Sequence, residues 1–216
     1  MRRPAWIAGA LVAAALSLGF RGAADETISW AVRPLVVRWD ELVNASGTIG
    51  SGQSGHLVTI QIRVCDQQTW QDVGEATTTN NGSWSVDFLT RISGLLRATS
   101  GGATTDSVQL QQRPYVFFSQ RRPGRFRAGV QAQRQYWHRR MRIDRFDRAR
   151  GAWVKVKRVL ITETEGDGGG GMSDIASTTD LFRIDVPKGT SLRAVLPTEV
   201  GRPCYIAGFS PIVVRR

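Results

Sequence analysis

Two histidines, two cysteines and a serine among glycines are the residues from which a catalytic centre would have to be built. His56 and His138 are the only histidines. A Ser-His-Asp centre needs nucleophile and base within hydrogen-bond reach. Ser54 sits in GSGQSG (50–55). That spacing is not the Gly-x-Ser-x-Gly elbow, and Ser54 leads toward a strand rather than a helix. A Cys–His pair from Cys65 and His56 fails on distance, because nine residues of extended chain span roughly 30 Å. No catalytic residue is assigned, and a small hydrolase remains only as a third reading. Zinc needs three or four close Cys, His or carboxylate ligands, and neither CxxC nor HxxxH spacing occurs. GDGGGG (166–171) lacks the Gly-Lys-Ser/Thr of a phosphate loop. The acidic stretch TETEGDGGGGMSDIASTTD brings Glu163, Glu165, Asp167, Asp174 and Asp180 close in sequence. Its spacing is not that of a calcium loop, and its glycines favour a solvated loop over a rigid cage. No metal and no cofactor is assigned. Cys65 and Cys204 allow a disulfide in an exported protein; two unpaired thiols are the alternative, and the spacing does not choose between them.

Charge is more informative. Residues 121–158 hold twelve Arg and two Lys against Asp144 and Asp147, a net +12. Arg125 and Arg127 flank Phe126, and Arg140 and Arg142 flank Met141. On a strand this parity sends the apolar residue inward and the guanidiniums outward. A basic stripe of that kind attracts anions, and Tyr136 and Trp137 beside it could stack on a sugar or base. Arg125, Arg127, Arg140, Arg142, Tyr136 and Trp137 are therefore the candidate anion-binding residues. Acidic envelope polysaccharide fits such a face; nucleic acid is the weaker case for an exported protein. The bland alternative is a solubilising face in an arginine-rich composition. By strand parity Trp70, Trp84 and Trp153 read as core rather than as a sugar platform.

The elements that would position these residues are strands. HLVTIQIRV (56–64), GSWSVDF, DSVQLQQ, GRFRAGV, AWVKVKRVLI and LFRIDV all alternate apolar and polar residues, the period of half-buried strands. Turn residues at Asn80-Asn81-Gly82, Ser100-Gly101-Gly102, Pro123-Gly124 and Pro187-Lys188-Gly189 separate them. The N-terminus differs. Arg2 and Arg3, an apolar run over 5–20 and the small residues Gly22, Ala23 and Ala24 have the pattern of a signal peptide spanning 1–24. Its removal takes three arginines and no acid, leaving +8 of the formal +11. No other stretch is long and apolar enough to span a membrane.

The strands also repeat. Arg33-Pro34 recurs as Arg113-Pro114. With Ala45 set against Ala128, Ile60 falls on Ile143, Trp70 on Trp153 and Val73 on Val156. Val86-Asp87-Phe88 then answers Ile184-Asp185-Val186, and Leu96-Arg97-Ala98 answers Leu192-Arg193-Ala194, with a Gly-rich acidic insertion at 165–178. The predicted organisation is all-β: one module over 25–113 and a second over 114–216, joined without a linker. This order of framework residues, twice over behind a signal peptide, resembles the tandem immunoglobulin-like or fibronectin-III-like β-sandwich modules of secreted and surface bacterial proteins. The resemblance implies a non-catalytic structural, adhesive or carbohydrate-associated role and carries no catalytic residues. The expected protein is secreted or envelope-associated, a binding or spacer module touching an anionic polymer. The alternative is a module that docks a surface protein through an edge strand.

Overall fold

The computed structural model describes residues 27–165 and 174–216; residues 1–24, expected from the sequence to be a signal peptide, lie outside them. Among the described residues the regular structure is nearly all strand, with one four-residue helix. In chain order the strands up to residue 113 are β1 (Ile28–Arg33), β2 (Val36–Val37), β3 (Leu42–Ile49), β4 (Leu57–Val64), β5 (Gln71–Thr77), β6 (Ser83–Leu89), β7 (Gly94–Ser100), β8 (Ala103–Thr104) and β9 (Val108–Gln112). From residue 114 onward come β10 (Tyr115–Arg122), β11 (Arg125–Ala132), β12 (Arg140–Asp147), β13 (Ala152–Leu160), β14 (Glu163–Glu165), β15 (Ile175–Thr178), β16 (Phe182–Arg183), β17 (Ser191–Leu196), helix α1 (Thr198–Gly201), β18 (Gly208–Phe209) and β19 (Val213–Val214). No helix of the described residues is long and apolar enough to cross a membrane.

The first half builds two sheets, β1-β3-β6 and β2-β9-β7-β4-β5, with β8 added on β7. The second builds β10-β11-β15-β14, with β16 on β11, and β13-β12-β17-β18, with β19 on β17. Among the described residues every strand pairing joins strands of the same half. Alternation drives each ladder: in β4, Val58, Ile60, Ile62 and Val64 are buried while Leu57, Thr59, Gln61 and Arg63 are not, as the two-residue period dictates. The buried residues of both halves nonetheless form one continuous apolar cluster. Residue 114 therefore divides the hydrogen-bonded ladders but not the apolar packing.

The repeat is visible in the ladders at its centre. Ile60 stands opposite Ala98 and Ile143 opposite Ala194. A bulge interrupts β4–β5 between Ile60 and Gln61, and the same bulge interrupts β12–β13 between Ile143 and Asp144. It fails at the flanks. Arg33 ends β1, whereas Arg113 precedes β10, so the two Arg-Pro pairs are not equivalent. The partner of β11 is supplied by β15 and β16, with Gly129 opposite Thr178 and Phe126 opposite Phe182, while residues 184–186 form no strand. Residues 175–178, read from the sequence as the end of a loop insertion, are thus a ladder strand. They also pair with β14, which gives them partners on both sides and explains their order.

Candidate functional site

The six candidate anion-binding residues do not form one site. Arg125 and Arg127 lie on β11, and Arg140 and Arg142 on β12, which belongs to the other sheet of this half. Phe126 and Met141 are both buried in the common core, so the two arginine pairs stand on the outer faces of different sheets and not on one stripe. Two of the four are already neutralised. Arg127 ion-pairs with Glu163 and donates from Nε to the Thr179 carbonyl at 3.1 Å. Arg142 holds Asp144 at 2.8 Å. Arg125 and Arg140 are exposed and form no ion pair among the described residues.

Tyr136 is only 4% exposed and packs edge-on against Tyr205; it cannot stack on a ligand, contrary to the sequence expectation. Burial pushes its phenol well above the ordinary range, with Tyr205 adding to the shift. Trp137 is 53% exposed, and its ring stacks on His138 at 3.8 Å. His138 is held at φ 59°, a left-handed conformation that costs a non-glycine residue of order 1 kcal/mol or more. Trp137, Arg139 and Arg140 are exposed together along this turn into β12.

Trp70 and Trp153 were read as core, and only Trp84 is buried. The other two are half-buried and carry an arginine over the ring: Arg97 over Trp70 at 4.1 Å and Arg193 over Trp153 at 4.3 Å. In the second half Arg193 is also stacked on Phe209 at 4.7 Å and reaches Asp144 at 3.6 Å. Asp144 is 1% exposed and lies between Arg142 and Arg193. Burial lowers the Arg193 pKa, while Asp144 opposes the shift. Stacked, ion-paired guanidiniums of this kind stabilise the face and are not free for a ligand. The sequence signal was available: an Asp inside an arginine run, at a position aligned with Gln61.

The cationic residues without an ion pair among the described residues include Arg125, Arg139, Arg140, Lys155 and Arg158. Arg158 stands opposite Arg142 across the β12–β13 ladder, and Lys155 opposite Asp144. Residues directly opposite in a ladder share a face, so β12 and β13 present Arg142, Arg158 and Lys155 together, with one buried carboxylate beneath them.

The junction between the halves is closely tied. Cys65 and Cys204 form a disulfide, with Cα atoms 5.2 Å apart. Among the described residues Cys65, Asp66 and Cys204 are also the one grouping with metal-ligand spacing, and the bridge takes both sulfurs. It also removes the Cys65–His56 pair from consideration. Tyr205, 1% exposed, accepts at its hydroxyl from the Gln133 N–H at 2.9 Å and donates to the Arg91 carbonyl at 2.8 Å. The Ser93 N–H donates to the Cys204 carbonyl, and the Ile206 N–H to the Gln112 carbonyl. Arg91 bridges Asp40 and Asp174 at 2.9 and 3.0 Å, and Arg134 pairs with Asp66. The loop 197–207 is thus clamped onto the first half. Of the acidic stretch, Glu163 and Asp174 are engaged by arginines; Asp167 lies outside the described residues. No protein-family model matches the chain, and no curated protein matches it.

Proposed function

We propose that the chain is an exported, non-catalytic binding and spacer protein of two immunoglobulin-like or fibronectin-III-like sandwiches, with residues 1–24 as its signal peptide. In this reading the halves meet near residue 114. The sheets β1-β3-β6 and β2-β9-β7-β4-β5 form one sandwich; the two sheets after residue 114 form the other. The strand orders support the assignment. The second half contacts an anionic envelope polymer through the β12–β13 surface and the adjoining turn, using Arg139, Arg140, Lys155 and Arg158, with Trp137 beside them. Arg125 lies on the other sheet and is not part of this surface.

The observation that carries this reading is the segregation of paired and unpaired cations. Arg127, Arg142 and Arg193 are engaged by acids, while the residues named above stand without them on one surface. A merely solubilising face would have its signs mixed. Docking of a partner by pairing along the β13 edge is disfavoured by Lys155, Lys157 and Arg158 on that strand, because charged edges resist strand addition. Adsorption of the mature protein to isolated bacterial envelopes tests the reading. It should fall steeply as salt rises, since exposed charges act over only ~10 Å at 0.1 M ionic strength. Salt-independent adsorption would instead support edge docking.

A further inference from the structure

Where the halves meet, a cleft of about 600 Å³ opens. Its lining includes Arg38, Arg113, Trp39, Tyr115, Phe209 and Ser210, and no carboxylate. The acids next in sequence to Arg38 already have partners. Asp40 pairs with Arg91, and the Glu41 side chain accepts from the Arg38 backbone N–H at 2.7 Å. The Arg38 guanidinium is exposed and has no ion pair among the described residues. Arg113 donates one Nη to the Ala207 carbonyl at 2.5 Å and lies over Phe209 at 5.6 Å. Tyr115 and Phe209 keep more than two fifths of their surface in solvent.

Two guanidiniums and flat aromatic faces in an acid-free cleft define a ligand that is both anionic and ring-shaped. A guanidinium fork matches a planar carboxylate in bidentate fashion. A tetrahedral phosphate is usually cradled by backbone N–H groups; here Pro114 and Pro211 remove two such donors from the lining. The cleft walls come from both halves, and the Cys65–Cys204 bridge and the Tyr205 hydroxyl hold those halves together, which lowers the ordering cost of binding.

We propose that this junction cleft binds a uronate-bearing oligosaccharide, with Arg38 as the carboxylate fork, the remaining guanidinium donors of Arg113 beside it, and Tyr115 packing on a sugar ring. The inference rests on the reading of the protein as a binder of anionic polymer, but it uses residues separate from the β12–β13 surface. Calorimetry of the full chain with trigalacturonate tests it, with uncharged maltotriose, a sulfated trisaccharide and a thymidine hexanucleotide as comparisons. Trigalacturonate should bind and maltotriose should not. Arg38→Ala, which removes a guanidinium that forms no ion pair among the described residues, and Tyr115→Ala should each weaken binding about tenfold. Absence of trigalacturonate binding, indifference to both cleft variants, or tighter binding of the sulfated sugar or the hexanucleotide would overturn the proposal. If trigalacturonate binds as expected while an Arg140→Glu/Arg158→Glu variant adsorbs to envelopes like the wild type, the surface reading fails and the cleft stands.

Discussion

The same framework position is solved in two ways in the two halves. In the first, Gln61 follows the bulge, accepts from Arg97 Nε at 2.9 Å and donates to Asp72 at 2.8 Å, and Arg97 lies over Trp70. In the second, Asp144 follows the bulge and holds Arg142 and Arg193, and Arg193 lies between Trp153 and Phe209. A neutral amide asks little of its surroundings. A carboxylate at 1% exposure is tolerable only because two guanidiniums surround it. Charge in a sequence is therefore a poor guide to charge at a surface: part of the second half's positive run is consumed in holding its own sheet together.

The sharpest break of this comparison removes the two central residues. Asp144→Ala leaves Arg142 and Arg193 facing each other without a counter-charge and should destabilise by about 3–5 kcal/mol. Gln61→Ala loses ordinary hydrogen bonds and should cost about 1 kcal/mol. Denaturant unfolding of both variants gives the two values, and equal losses would end the distinction. The stacked arginines sharpen it next. Arg193→Lys gives up the planar fork between two rings and should cost about 1–2 kcal/mol, and Arg97→Lys, over one ring, about half of that; melting temperatures of the two variants order them.

The smallest effect is with pH. All three tyrosines lie after residue 114, and burial raises the phenols of Tyr136 and Tyr205. A raised folded pKa gives stability that is complete below the unfolded value of about 10 and is lost as pH climbs from there toward the folded value. Stability should be level from pH 8 to about 10 and then decline. Tyr205→Phe with Tyr136→Phe should flatten that decline, and an unchanged slope would place its origin elsewhere.

Much of this was legible in advance. The alternation over 56–64 gave β4 residue by residue, and setting Ile60 on Ile143 and Trp70 on Trp153 gave positions that share a bulge and a stacked arginine. Parity misled at Trp70 and Trp153, because a strand's outer face can shelter an aromatic ring under a long side chain. Position beside the arginines misled at Tyr136, which packs against Tyr205, sixty-nine residues away in sequence. Pairing of Arg127 with Glu163 depends on ladder register, which composition does not contain. The junction was the least legible part: the docking of loop 197–207 and the closure of Cys65 on Cys204 follow from long-range packing with no local pattern.

The claim on which the functional account turns is that unpaired cations of the second half, and not its total charge, make the contact. Adsorption isotherms on isolated envelopes at low salt, wild type against the Arg140→Glu/Arg158→Glu variant, test it directly. The account predicts adsorption weakened at least about tenfold with an unchanged melting temperature, since neither residue supports the fold through an ion pair. Adsorption equal to that of the wild type, in a variant that is fully folded, would contradict it.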